Sequence, residues 1–178
     1  MLWRLSLGLP VAVLVLSAAA PASSVPGEAE GLCRSGEQGP AFLVTIQGLK
    51  DRSGILRLEV YPDNDSDFLG DDTKLVAAGK TFRRVEMPAP ASGSAVMCIR
   101  VPSPGTYSLV LLHDRDRNGK FGWRSDGVGF PGTPKLGFGK PKAAQAAARA
   151  GAGLTKLSLT LQYLRGLRFA PLDKGAQR

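Results

Sequence analysis

A short polar segment near the middle of the chain carries the residue types and the spacing that could do chemistry. Asp114, Asp116 and Asn118 place oxygen-bearing side chains at every second position, and Gly119 follows directly. Such spacing wraps oxygen ligands around a hard cation such as Ca²⁺, with the backbone carbonyl of Lys120 as a further ligand. The segment therefore predicts a loop with the beginnings of a calcium site.

Two interpretations of this segment stay open. A calcium loop of this type ends in a bidentate glutamate at its twelfth position, where this chain has Ser125, with Asp126 one residue later. Asp126 is the expected additional ligand if a cation binds, but Arg115, Arg117 and Lys120 bring positive charge that opposes it. The other interpretation is a turn in which the Asp and Asn side chains bond their own backbone. No further cofactor is expected.

Catalytic residues are not expected. His113, the only histidine, precedes Asp114, and such a pair could act as the general base of a hydrolase. Alternation places His113 on the same face as Leu109 and Leu111, which favours a buried, hydrogen-bonded histidine. The chain has no Gly-x-Ser-x-Gly elbow, phosphate-binding glycine loop or Cys/His zinc cluster. We therefore predict a protein that is not an enzyme, with the hydrolase as a remote alternative.

A long loop, residues 113–139, is the candidate functional face. Within it Trp123 and His113 are the candidate ligand-contacting residues. Trp123 could stack on a sugar ring or a peptide, or it could pack against the end of the fold. Either placement requires that a rigid scaffold hold the loop.

That scaffold is predicted from alternating hydrophobicity. Short segments of alternating apolar and polar residues, separated by turn signals, predict an all-β chain forming a single antiparallel β-sandwich of about seven strands. Its arrangement is expected to be immunoglobulin-like or transthyretin-like, with one short helix possible near residues 142–150. In the last strand, Leu157, Leu159, Leu161 and Tyr163 are expected inside and Gln162 outside.

A second acidic loop, residues 63–72, could in principle supply missing ligands to the loop that carries Asp114, Asp116 and Asn118, called the Asp114 loop below. If successive strands alternate in direction, however, the two acidic loops lie at opposite ends of the sandwich. A hidden extra strand at residues 74–77 would reverse this conclusion.

The N-terminus indicates export. Residues 1–22 combine a basic residue, an apolar run and small residues suited to cleavage, as in a secretory signal peptide. The apolar run is shorter than the roughly 20 residues that span a bilayer, although a retained anchor is the alternative. We expect a periplasmic or secreted protein with a flexible leader at 23–39, a β-sandwich domain at 40–165 and a basic tail at 166–178.

Export also bears on the two cysteines. Cys33 and Cys98 are the only pair in the chain, and an oxidising compartment favours a disulfide between them. The alternative is two separate thiols, with Cys98 packed in a strand.

The net charge of +8 bounds the class of partner. Basic residues concentrate after residue 134, where aromatic residues are too sparse for a nucleic-acid platform. A basic C-terminal face could contact an anionic lipid or polysaccharide, or it could be a solvated surface. The expected partner is an envelope protein or a polysaccharide, with no nucleic acid and no membrane span after cleavage.

From Phe42 to Tyr163 the chain resembles the uncharacterised bacterial secreted proteins grouped as domain-of-unknown-function family 2141. The features that carry the resemblance are, in order, Phe42-Leu43-Val44, Gly48-Leu49, Gly54, Val60-Tyr61-Pro62, Asp67-Phe68-Leu69, Cys98-Ile99, Pro104-Gly105-Thr106-Tyr107, His113-Asp114, Gly129-Phe130-Pro131, Leu136-Gly137-Phe138-Gly139 and Tyr163. The resemblance implies an exported β-sandwich module with no established activity. Gly122 and Thr133 stand where the family usually has acidic residues, which weakens the expectation of a cation site in this chain.

These observations together predict an exported, non-enzymatic β-sandwich module with a binding or structural role in the cell envelope. The leading alternative is a calcium-binding β-sandwich protein.

Overall fold

The computed structural model describes residues 25–137 and 139–172. The predicted signal peptide and the last six residues of the predicted tail lie outside the described residues. No helix in the described part of the chain has the length and apolar character needed to cross a membrane.

The described chain is built mainly of short strands. The strands are β1 (Ala41–Gln47), β2 (Ile55–Pro62), β3 (Arg83–Pro88), β4 (Ala95–Arg100), β5 (Gly105–Asp114), β6 (Gly127–Gly129), β7 (Ala147–Ala150), β8 (Leu154–Thr160), β9 (Gln162–Arg165) and β10 (Arg168–Pro171). The helices are α1 (Glu28–Gly31), α2 (Asp72–Ala77) and one turn of 3-10 helix (Ala143–Ala146).

The strands form two sheets, which confirms the predicted all-β sandwich. The small sheet has the order β4-β1-β8, and the large sheet has the order β10-β9-β6-β5-β2-β3. β5 is long enough to pair with two short strands along one edge, β7 at its beginning and β6 at its end. All pairs are antiparallel except β1 with β8, which run parallel.

The core lies between the sheets and follows the predicted alternation. Phe42, Val44 and Ile46 of β1 face Leu109 and Leu111 of β5 within one buried cluster. The even-numbered side chains of β5 point the other way, to the outer face of the large sheet. A second buried cluster covers part of that outer face.

One continuous stretch of chain passes from the small sheet into the large sheet. β8 pairs with β1, and after Leu161 the chain continues as β9, which pairs with β6. Leu159, Leu161 and Tyr163 are buried in the core, as the alternation predicts, and Leu157 packs against it. The prediction for Gln162 was wrong, because this side chain is buried and its Nε2 donates to the Pro134 carbonyl (3.1 Å).

Helix near residues 142–150 is limited to the single 3-10 turn, and the rest of that segment is strand β7. Its alanines favour a helix intrinsically. The free edge of β5 overrides that preference, because Ala148 and Ala150 can pack into the core from β7.

The described part of the predicted flexible leader is held against the sandwich. The Gly27 carbonyl accepts from the Arg84 amide (3.1 Å), and Leu32 forms a bridge with Ile99 of β4. The predicted disulfide between Cys33 and Cys98 is present, with the Cα atoms 5.9 Å apart. At the other terminus, part of the predicted basic tail forms β10.

The register places the two acidic loops as predicted. Pro62 at the end of β2 lies opposite Tyr107, whereas Ile55 at its start lies opposite Asp114. The loop after β2 is therefore at one end of the sandwich and the Asp114 loop at the other. The segment that could have held an extra strand is helix α2.

The described basic residues after residue 134 do not all lie on one face. Arg149 pairs with Thr106 and is exposed on the outer side of the large sheet. Lys156 is exposed on the outer side of the small sheet, across the sandwich. The predicted basic face is thus divided between opposite surfaces.

Candidate functional site

The Asp114 loop joins the end of β5 to β6 and lies beside the turn that precedes β2. The structure brings the carboxylates of Asp114, Asp116 and Asp126 together, with one oxygen of each within 4.8 Å of the others. Asp114 and Asp126 are buried, and Asp116 is exposed. This proximity is what a calcium site needs from its acidic ligands.

The same oxygens also bond to the backbone of the loop. Asp114 accepts from the amides of Asn118 (3.2 Å) and Gly119 (2.9 Å). Asp126 accepts from the amides of Arg115 (3.1 Å) and Gly122 (2.7 Å). The loop therefore combines the converging carboxylates of the calcium interpretation with the backbone hydrogen bonds of the turn interpretation.

The side chain of Asn118, a predicted ligand, is already engaged within the turn. Its Oδ1 accepts from the Lys120 amide (2.8 Å), and its Nδ2 donates to Asp116 (2.8 Å). Gly119 has φ +75°, as the turn interpretation requires, and Arg117 also has a positive φ of 59°.

An ion pair that the sequence did not predict directs the guanidinium of Arg115 to Asp51, which lies outside the loop. Arg115 bonds with Asp51 in the turn before β2 and donates to the Ser125 carbonyl (2.8 Å). Burial alone would raise the pKa of Asp51, but Arg115 and the Ser53 amide hold that pKa below its usual value.

His113 is fully buried and faces the core, away from the loop surface. Its Nε2 lies 2.8 Å from the Ser53 carbonyl, which can only accept, so Nε2 carries the proton. Its Nδ1 then accepts from the Tyr163 hydroxyl (2.7 Å), which in turn accepts from the Lys50 amide (3.1 Å). Burial lowers the pKa of His113, so this imidazole is a neutral structural link.

Trp123 lies elsewhere, at a cavity of about 720 Å³ on the outer face of the large sheet. We call it the outer cavity. Its floor and walls include Val110, Leu112, Val128, Phe121, Trp123 and Phe169. Phe121 and Trp123 are 48% and 47% exposed, so these two aromatic side chains stand at the rim rather than in the core.

Charged side chains from the same face line one side of the outer cavity. They are Arg57 and Glu59 of β2, Arg84 of β3, and Lys140. Arg57 pairs with Glu86 and also donates to the Gly119 carbonyl (2.9 Å), so it connects the cavity to the Asp114 loop.

A partly buried polar network continues from Arg84. Its guanidinium pairs with Glu59 (2.6 Å) and Asp72 (2.9 Å). Glu59 also accepts from the Tyr61 hydroxyl (2.7 Å), and burial raises the pKa of that phenol. The charged side of the cavity is therefore fixed in place by paired side chains.

The long loop was predicted as the functional face, and five of its aromatic or aliphatic side chains line the outer cavity: Phe121, Trp123, Val128, Phe130 and Leu136. The other walls were missed. The sequence could have indicated Val110 and Leu112, because β5 is apolar on both of its faces. It gave no such indication for Phe169, which lies in the segment predicted as a tail.

The chain matches the bacterial family described as "Uncharacterized protein conserved in bacteria (DUF2141)" over residues 44–158. The match covers more than half of the chain and confirms the family resemblance. No curated protein and no solved structure matches the chain.

Proposed function

Because the chain belongs to this uncharacterised bacterial family, which carries no assigned activity, we propose a function from its own geometry: an exported, non-enzymatic module that binds a small, largely apolar ligand in the outer cavity. The observation that carries the proposal is the cavity itself. Its volume of about 720 Å³ lies within the range of about 300 to 1,000 Å³ that is typical of small-molecule sites.

The shape of the large sheet supports a binding role. An outer sheet face normally carries polar residues, yet Val110, Leu112 and Val128 line the cavity there. Burying apolar ligand surface against them gains about 25 cal/mol per Å². Small-molecule sites are lined mainly by hydrophobic and aromatic side chains, and Phe121 and Trp123 at the rim of this cavity are of that type.

Two features support export and the absence of catalysis. The N-terminal segment has the composition of a signal peptide, and the disulfide suits an oxidising compartment. The imidazole of His113 faces the core with both nitrogens engaged, so it is a poor general base for a substrate in the outer cavity.

The test is titration with N-phenyl-1-naphthylamine, a neutral apolar fluorophore whose emission rises in apolar surroundings. We expect saturable, one-to-one binding that Trp123→Ala weakens by roughly tenfold, since truncation of a large aromatic contact removes about 1 to 2 kcal/mol. Leu154→Ala is the matched control, because Leu154 is 54% exposed and does not line the cavity. Absence of saturable uptake, or equal loss in both variants, would refute the proposal.

The convergence of Asp114, Asp116 and Asp126 supports a second candidate function, the binding of Ca²⁺. A bound ion raises stability by mass action. We expect the unfolding midpoint to rise between excess EDTA and millimolar CaCl₂, and Asp116→Asn to abolish the rise. Glu30→Gln makes the same charge change on an exposed residue outside the cluster. Identical midpoints with and without calcium would leave the loop as a turn only.

A further inference from the structure

We propose that the ligand of the outer cavity is an amphiphile with one anionic group, a carboxylate on an apolar chain, and that the carboxylate binds at Arg57. This inference rests on the proposed function and names its ligand class. The argument depends on which charges line the cavity, how each is already paired, and where the apolar floor begins.

The charges that line the cavity are mainly positive. Arg57, Arg84 and Lys140 face one carboxylate, that of Glu59. A cationic ligand would be repelled by this set. A neutral ligand would cover the cations without replacing the water that solvates them, which is unfavourable.

The three cations differ in their partners and in their exposure. Arg84 lies between two carboxylates, those of Glu59 and Asp72. Lys140 donates to the Asp65 carbonyl (3.2 Å) and its Nζ lies 5.8 Å from the centre of the Phe68 ring. These contacts hold both side chains in place, and water screens the charge of Lys140 because that residue is exposed.

Arg57 is the cation best placed for a ligand. Its one acidic partner, Glu86, has a side chain that is 37% exposed and does not line the cavity. Water therefore screens the carboxylate of Glu86, while the side chain of Arg57, which also donates to the Gly119 carbonyl (2.9 Å), is 14% exposed and borders the cavity. A planar guanidinium also suits a carboxylate, because it can donate two parallel hydrogen bonds.

The register of the large sheet places the apolar floor directly beside Arg57. Arg57 pairs with Leu112 of β5, and Leu112 pairs with Val128 of β6. Paired residues share a face, so this row runs from a charge to an apolar surface over two strand spacings, about 10 Å. An alkyl chain of medium length with its carboxylate at Arg57 would lie along the row.

The experiment compares three ligands of equal chain length by calorimetry: decanoate, decylammonium and decanol, each below its own aggregation concentration. We expect decanoate to bind at least tenfold more tightly than the other two. Arg57→Gln should weaken decanoate binding roughly tenfold, as expected for a charged hydrogen bond, and should change decanol binding less than twofold.

Two further variants keep the result interpretable. Glu86→Gln removes the competing acid without touching the cavity lining and should strengthen decanoate binding. This variant tests the inference even if Arg57→Gln does not fold. Lys156→Gln makes the same charge change as Arg57→Gln on the opposite side of the sandwich and should leave all three affinities unchanged.

The outcomes separate the two proposals. Equal binding of decanol or decylammonium and decanoate, or a decanoate affinity that ignores both Arg57 and Glu86, would overturn the anionic amphiphile and leave the binding module standing. Uptake of the neutral fluorophore without binding of decanoate would do the same. If neither the fluorophore nor any of the three ligands binds, both proposals fail.

Discussion

The single histidine of the chain makes one pH dependence of stability assignable to one residue. His113 is buried, with Nε2 donating to the Ser53 carbonyl and Nδ1 accepting from the Tyr163 hydroxyl. Burial lowers its pKa. Among the nearby charges, Asp51 and Asp126 act to raise that pKa and Arg115 acts to lower it. We expect the folded protein to lose stability as the pH falls through the range in which an exposed imidazole takes up a proton.

The sign follows from the two states. In the unfolded chain the imidazole has a pKa of about 6.5, whereas in the folded chain the pKa is lower, so the unfolded state binds more protons below pH 7. The contribution of His113 to the free energy of unfolding is therefore constant above about pH 7.5 and falls by at most about 1.4 kcal/mol by pH 5.5.

The measurement is urea unfolding at pH 7.5, 6.5 and 5.5, together with a titration of the imidazole proton resonances by NMR. His113→Gln should be less stable at every pH, by about 1 to 3 kcal/mol for each buried partner left unpaired, and should lack the fall between pH 7.5 and 5.5. A folded-state pKa at or above 6.5, or a free energy of unfolding that rises on acidification, would refute this reasoning.

Two more predictions concern stability. Gly54 and Gly79 both have a positive φ (+78° and +67°), but a Cβ on Gly54 would lie 2.0 Å from the Asp114 carbonyl oxygen and a Cβ on Gly79 would meet nothing within 4 Å. Gly79→Ala should therefore cost about 1 to 2 kcal/mol in urea unfolding, and Gly54→Ala clearly more; equal costs would contradict the close approach. Replacing both Cys33 and Cys98 by Ala should lower the free energy of unfolding by about 4 kcal/mol, because the bridge closes a loop with a sequence separation of 65. An unchanged urea midpoint would show that the bridge does not constrain the unfolded chain.

The sandwich could be predicted from the sequence because alternation carries the information. The pattern of Phe42, Val44 and Ile46 fixes which face of β1 is buried, and the same logic holds for Leu159 and Leu161. The short strands β6, β7 and β10 could not be predicted in this way. They are three or four residues long, and pairing with a neighbouring strand determines their conformation more than their own composition does.

The candidate site was predicted only in part. The acidic residues of the loop lie close together in sequence, so their convergence could be anticipated from spacing. The pairing of Asp51 with Arg115 and the row from Arg57 to Val128 depend on strand register. A single sequence does not specify which residues of distant strands lie opposite each other.

The parallel pairing of β1 with β8 has a consequence for how the chain folds. The two strands are separated by most of the domain, yet β1 is the central strand of the small sheet, between β4 and β8. When the chain folds from its N-terminal end, β1 can pair with β4 early. The sheet is complete only when β8, which ends at Thr160, has become available. The sequence-distant pairing raises the contact order and slows folding. Until β8 pairs with β1, the free edge of β1 stays open to other chains, so prompt closure by β8 limits aggregation during folding.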